Sequence, residues 1–328
     1  MSLPKRKGKV GLAKAADASS TATVQVWPIY ESANIEGVPN LSEQPNAQDR
    51  DVHNIQEHGF DFTWNIQGMA PSCFDFGYLL WLFLGSDTWD TDHHDIRPAE
   101  AAQYLNLKVG RGVDLDTGAK VTQNLVGAKV QSLSLEQRVN DYAKLNVSGP
   151  GCDLGTPETV LSPSFLSGAN NAPLSWAGLA ATSGGGFKIG YNGGAVAQDN
   201  AIRGIKLDLT QELEGAGIEL DTEQPTALNE GARTLTFEVE REFKSGGARD
   251  DYDAWVAGQD IGVEICWTIG SSVMQLIIEE ARITDNVPGE VGQGAEHITS
   301  TLKCKAFKNA ASYLVDVQYT EPAGSAFT

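Results

Sequence analysis

A mainly β fold, built of antiparallel sheets and organised as two tandem halves, is what this sequence predicts. Three observations carry it. Apolar and polar residues alternate with period two through most of the chain, as in Phe60, Phe62, Trp64 and Ile66. Glycine, at 35 residues, far outnumbers the 13 prolines, and abundant Thr, Val and Leu favour strands joined by turns. The order of elements in the first half also recurs in the second.

The first half reads as a strand over 24–30, a long polar loop from Glu31 to His58, and a strand from Phe60. A helix follows from Ser72 to Leu84: Pro71 precedes a capping serine, Gly85 stops it, and apolar residues surround the cylinder, so it should be buried. Strands then cover 104–109 and a pair spans 126–147. The second half repeats this: a strand over 202–213, an acidic loop from Glu214 to Gly231, and a strand from Thr234. A helix over 249–257, ended by Gly258, precedes strands at 262–268, 273–284 and 297–307. The spacing predicts a basic arm over 1–23, β units over 24–152 and 201–310, a Gly/Ser/Ala-rich connector over 153–200, and a tail over 311–328. Phe187, Ile189 and Tyr191 predict one strand within the connector. Each strand carries one polar face, so its sheet covers a core on one side and meets water or a partner on the other.

The formal charge is −19, which repels phosphate and anionic lipid and argues against DNA reading. Lys5, Arg6, Lys7, Lys9 and Lys14 all precede the first acid, Asp17, and without them the remainder carries about −24. A basic arm on an acidic body suggests docking on a neighbouring copy; a frayed, solvated terminus is the alternative. The cysteines Cys73, Cys152, Cys266 and Cys304 show no CxxC spacing and read as buried free thiols. The longest apolar run, 74–84, is far short of a bilayer span. No signal peptide is visible, so synthesis in a cytoplasm is expected.

Catalytic chemistry finds little support. Asp90, Asp92, His93, His94 and Asp95 have metal-ligand character, yet they lack a distant third ligand and read as a solvated acidic turn. Asp250, Asp251 and Asp253 lack the glycine and glutamate of a calcium loop, and acids at a helix start suit its dipole. No GxSxG, HExxH or P-loop motif occurs. The seven tryptophans read as core. No enzyme activity, cofactor or metal is expected.

The segment YLNLKVGRGVDLDTGAKVTQNLVGAKVQSLSLEQRVNDYAKLNVSGPG, residues 104–151, resembles the tail-tube (major tail) proteins of long, non-contractile-tailed bacteriophages. IRGIKLDLTQELE, GARTLTFEVEREF, DDYDAW, VMQLIIEEARITDN and HITSTLKCKAF follow that family's order, and GFDFTWNIQG with its apolar helix fits its opening. The likeness covers roughly residues 20–310. It implies two tail-tube-type β-sandwich or barrel domains, each with a short flanking helix. Copies would form stacked rings whose inner strands close a barrel around a channel for genome DNA. With six such domains per ring, a cyclic trimer is expected, and a true hexamer is the alternative.

The implied partners are other copies, a tape measure, a terminator, a distal tail protein, and DNA passing non-specifically through the lumen, with no membrane. Location in the virion tail follows. An acidic lumen would let the duplex slide. Candidate inter-ring contacts are Lys5, Arg6, Lys7, Lys9 and Lys14 on the arm, Glu31, Glu36 and Asp49 in the first loop, and Glu214, Glu219 and Asp221 in the second. A terminator or baseplate ring, a carbohydrate-binding module and a metal-assisted hydrolase are the competing readings.

Overall fold

The computed structural model describes residues 8–20, 22, 30–45, 52–111, 121–156, 172–179, 186–216, 225–242, 247–288, 299–308, 314–321 and 327. The first half contains β1 (Gly8–Lys14), β2 (Ser32–Pro45), β3 (Val52–Met69), α1 (Cys73–Leu84), β4 (Gly85–Asp90) and β5 (His93–Pro98). It continues with β6 (Leu105–Arg111), β7 (Val121–Ala128), β8 (Ser132–Arg138), β9 (Lys144–Gly151) and β10 (Asp153–Leu154). After α2 (Trp176–Leu179), β11 (Gly186–Tyr191) and β12 (Ala197–Gln198) come β13 (Ile202–Ala216), β14 (Ala227–Glu242) and α3 (Gly247–Val256). The chain closes with β15 (Asp260–Ile269), β16 (Ser272–Pro288), β17 (Thr299–Ala306) and β18 (Asp316–Thr320).

The fold is mainly β and sandwich-like, and every described strand pair is antiparallel. One run of paired strands reads β2-β3-β9-β8 in the first half and continues β13-β14-β17-β16 in the second. In chain order each half therefore places its first, second, fourth and third strands side by side. A second layer repeats as well: β1-β6-β7-β10 in one half, and β11-β15-β16-β18 in the other. Strand β16 belongs to both layers, pairing β18 over Val273–Ile277 and β17 from Ala281 onward. Register shifts at Ile283/Asp285 and Ile261/Val263 bend the ladder at this corner. In the first half β7 and β8 divide the same task.

Alternation sets the two faces. Leu133, Leu135, Leu207, Leu209, Leu235, Phe237, Val239 and Leu302 are buried in register, while Ser134, Glu136, Lys206, Asp208, Glu238 and Thr301 point the other way. Helix α1 fills the core. Ser72 Oγ accepts the Asp75 N–H, and Asp75 accepts the Ser72 N–H, closing a capping box. Gly85 ends the helix at φ 103°, where a Cβ would strike the Ala101 carbonyl oxygen. Every α1 residue except Asp75 is buried.

Several sequence expectations change. The 31–58 and 214–231 segments are strand for much of their length: β2 pairs β3 from Ser32 to Pro45, and β14 begins at Ala227 opposite Ala216. Their sequences lack the regular apolar alternation by which strands are read. Pro39 and Pro45 are accommodated because β2 is an edge strand. The basic arm is in part a strand, since β1 pairs β6 over its whole length. The tail contains β18 and Phe327, whose ring packs on Phe74, Tyr78 and Trp81. The connector contains β10, α2, β11 and β12. The strand expected over 24–30 falls mostly outside the described residues.

Candidate functional site

Among the described residues the two halves meet at several places, one of them the pairing of β5 with β18 from Ile96↔Val317 to His93↔Thr320. Strand β8 pairs β13 from Ser132↔Thr210 to Arg138↔Gly204. Helix α1 of the first half packs on β16 and β18 of the second. There Phe76 lies edge-on to Trp267 at 6.2 Å, and a side chain at Gly77 would crowd Met274 and Tyr319. The Trp267 indole N–H donates to Gln137 Oε1 at 2.7 Å, tying β15 to β8. Around the rim, Lys129 Nζ bonds Glu230 at 2.5 Å and the Leu228 carbonyl at 3.3 Å. Arg233 bonds Glu230 and donates to the Leu84 and Ala99 carbonyls, serving the C-terminal end of α1.

The ends of the eight-strand run differ from this junction. Strand β2 pairs β3 on one edge and, among the described residues, no strand on the other. On β16, pairing with β15 stops at Arg282, so from Ile283 to Pro288 only the β17 edge is occupied among the described residues. Bare strand edges are templates for further pairing. The polar face between these edges mixes both signs: Glu136, Asp208, Glu238 and Glu240 stand with Arg138 and Lys206. Lys206 bonds Asp208 at 2.8 Å, and Arg138 bonds Glu136 at 2.9 Å.

The candidate contact residues scatter over this frame. Lys5, Arg6, Lys7, Asp49, Glu219 and Asp221 lie outside the described residues. Lys9 and Lys14 belong to β1, and the Lys14 ammonium sits 5.2 Å from the centroid of Trp81, anchored on the body. Glu31 and Glu36 are exposed beside or on β2, and Glu214 is exposed on β13. The first and second groups thus occupy separate hairpins.

The Asp90–Asp95 segment is the turn and second strand of the β4–β5 hairpin, so the solvated-turn reading holds for Asp90 and Asp92 and fails for His94. His94 is fully buried, stacked 4.0 Å from Phe327, with Nδ1 2.8 Å from Asp87 Oδ2. Its apolar cover comes from Trp89 of β4 and, far away in sequence, from Tyr319 of β18 and Phe327. Among the described residues no three His, Cys, Asp or Glu side chains gather as a metal site. Asp251 serves a buried charge cluster: Arg241 pairs with both Asp251 and Asp199, and the Tyr191 hydroxyl donates to Asp251. No described helix is long and apolar enough to cross a membrane.

All four cysteines are free and buried. Burial pushes the Cys73 thiol up to about 12 and the Cys152 thiol up to about 11, which suppresses the reactive thiolate. Burial likewise raises the Asp75 carboxyl above its ordinary value, with the Ser72 hydrogen bonds opposing it. Iodoacetamide at pH 8 is expected to leave the native protein unmodified and to alkylate all four thiols after denaturation, read by intact mass.

The fold is thus of the mainly β class, sandwich-like antiparallel sheets in which β2 has one unpaired edge among the described residues. The family model described as phage tail tube protein matches residues 60–306, and the chain belongs to that family. The family is structural, so the protein is a component of the virion tail that assembles with its own kind and with other tail proteins. No curated protein matches the chain.

Proposed function

We propose that this chain is the tail-tube subunit itself, carrying two tandem tube domains, and that three chains close a pseudo-sixfold ring. Stacked rings then form the channel for genome delivery into the host. The observation that carries this reading is the repeated strand order, joined inside one chain by β8 and β13. Among the described residues the same joint is left open at the two ends of the run, where β16 offers an edge from Ile283 and β2 offers its outer edge. Pairing β16 of one copy with β2 of the next repeats the internal joint head to tail, and a head-to-tail contact that closes makes a ring. A closed barrel leaves no edge to aggregate.

The polar face then lines the channel. Serine, threonine and carboxylates, with basic residues tied up in ion pairs such as Arg138–Glu136 and Lys206–Asp208, favour passage of a polyanion over its retention. The 32–69 and 202–242 hairpin arms, with Lys5, Arg6 and Lys7 ahead of β1, are the surfaces that reach the next ring. Tape measure, terminator and distal tail protein are the partners beyond it. Purified protein, concentrated and viewed in negative stain, is expected to form hollow tubes of uniform width. Isolated rings that never stack would replace this reading with that of a terminator or baseplate ring.

A further inference from the structure

Helices α1 and α3 hold equivalent places in chain order, each after the second of the four strands its half gives to the run, but their surroundings differ. Helix α1 is wrapped on all sides because it reaches across to the second half, where Trp267, Met274 and Tyr319 form one row on the core face of β15, β16 and β18. All three are fully buried. Helix α3 packs on β16, and its buried Asp251 meets Arg241 of β14 and Tyr191 of β11. Its other side presents Tyr252 at 55% exposure, Trp255 at 37% and Val256 at 65%, with the two rings in edge contact at 5.9 Å. Adjacent exposed aromatics of this kind mark contact surfaces.

The first half shows the complementary gap. On β6, β7 and β10, Leu107, Leu125 and Leu154 form one row. Leu125 reaches toward Gly151 on β9, so the row faces the core. Leu107 and Leu125 are fully buried, yet Leu154 at the end of the row is 41% exposed. In the second half, the corresponding row lies under α1; in the first half, among the described residues, no helix covers it.

We propose that α3 of one copy docks through Tyr252, Trp255 and Val256 on the open end of the first-half sandwich of the next copy, around Leu154, as α1 does within the chain. The inference rests on the ring reading and names its helix contact. The occupant is a second copy because the chain already contains the seated version of this contact, one half away. The joint then has two parts: strand edges on the polar-faced layer, and a helix over the second layer.

Ala257→Cys and Thr156→Cys sit beside the contact, both on exposed positions, and leave Tyr252, Trp255, Val256 and Leu154 in place. The two variants are purified separately, mixed, concentrated and treated with a short bismaleimide. The native thiols are buried and stay silent. Covalent dimers are expected in the mixture and not with either variant alone. Tyr252→Ser with Trp255→Ser is expected to raise the concentration needed for assembly by about thirtyfold or more, with the thermal midpoint of the monomer unchanged. Normal tubes that give no mixed cross-link, together with normal assembly of the double serine variant, would overturn the α3 contact and leave the tube reading standing. Failure of the unsubstituted protein to form rings or tubes at any concentration would overturn both.

Discussion

Trp267→Ala is expected to destabilise the protein by about 3–5 kcal/mol, the usual cost of emptying a large aromatic site. The effect belongs at the high end because Trp267 has no exposed surface and joins both halves. Its ring meets Phe76 from α1, and its N–H satisfies Gln137, a residue only 1% exposed on β8. Truncation removes the packing and strands a buried amide oxygen, a further penalty of about 1–3 kcal/mol if no water enters. Trp267→Phe separates the two contributions, since it keeps most of the volume and loses only the donor. Urea unfolding followed by circular dichroism measures both variants. A loss below about 1 kcal/mol for Trp267→Ala would contradict the packing described between the halves.

Arg241→Ala carries the second large effect, about 3–5 kcal/mol, because removing one member of a buried ion cluster leaves the others uncompensated. Arg241 is 7% exposed and Asp251 1%. Asp199 and the Tyr191 hydroxyl complete the cluster, which ties β14, β11 and α3 together. Pairing Arg241→Met with Asp251→Leu removes both charges, and this double variant is expected to be more stable than Arg241→Ala alone. Arg282→Ala is the control: its partner Asp260 is half exposed, so its loss is expected within about 1 kcal/mol. Differential scanning calorimetry orders the three variants. Arg241→Ala behaving like Arg282→Ala would show that the cluster is not a buried charge system.

Much of the fold was legible because local rules and tertiary burial agree where one face of an element meets the core. Period-two runs located β13 through β17, and Ser72 with Gly85 bracketed α1 within a residue. Part of the cover over His94 was invisible in sequence: Trp89 is local, but Tyr319 and Phe327 come from more than two hundred positions away. Strands β1 and β18 escaped notice for related reasons: β1 is short, glycine-containing and basic, and β18 is five residues long. The hairpin arms read as loops because their sequences are polar without regular alternation, yet their backbones pair as strands.

The candidate site was less legible. Order of elements in two halves was visible, but which edges pair is a property of the sheet, not of any segment. Tyr252, Trp255 and Val256 fall at helical spacing, and Trp255 read as core like the other tryptophans. Only the structure shows them turned outward. Leu154 carried no signal, since a single leucine after a strand has no pattern around it.

Electron cryo-microscopy of the assembled particle tests the central claim most directly. The account predicts rings of three chains in which β16, from Ile283 onward, is hydrogen-bonded to β2 of the next copy in the antiparallel sense already seen between β8 and β13. Six chains per ring, or a ring in which the β2 edge meets no strand, would contradict it.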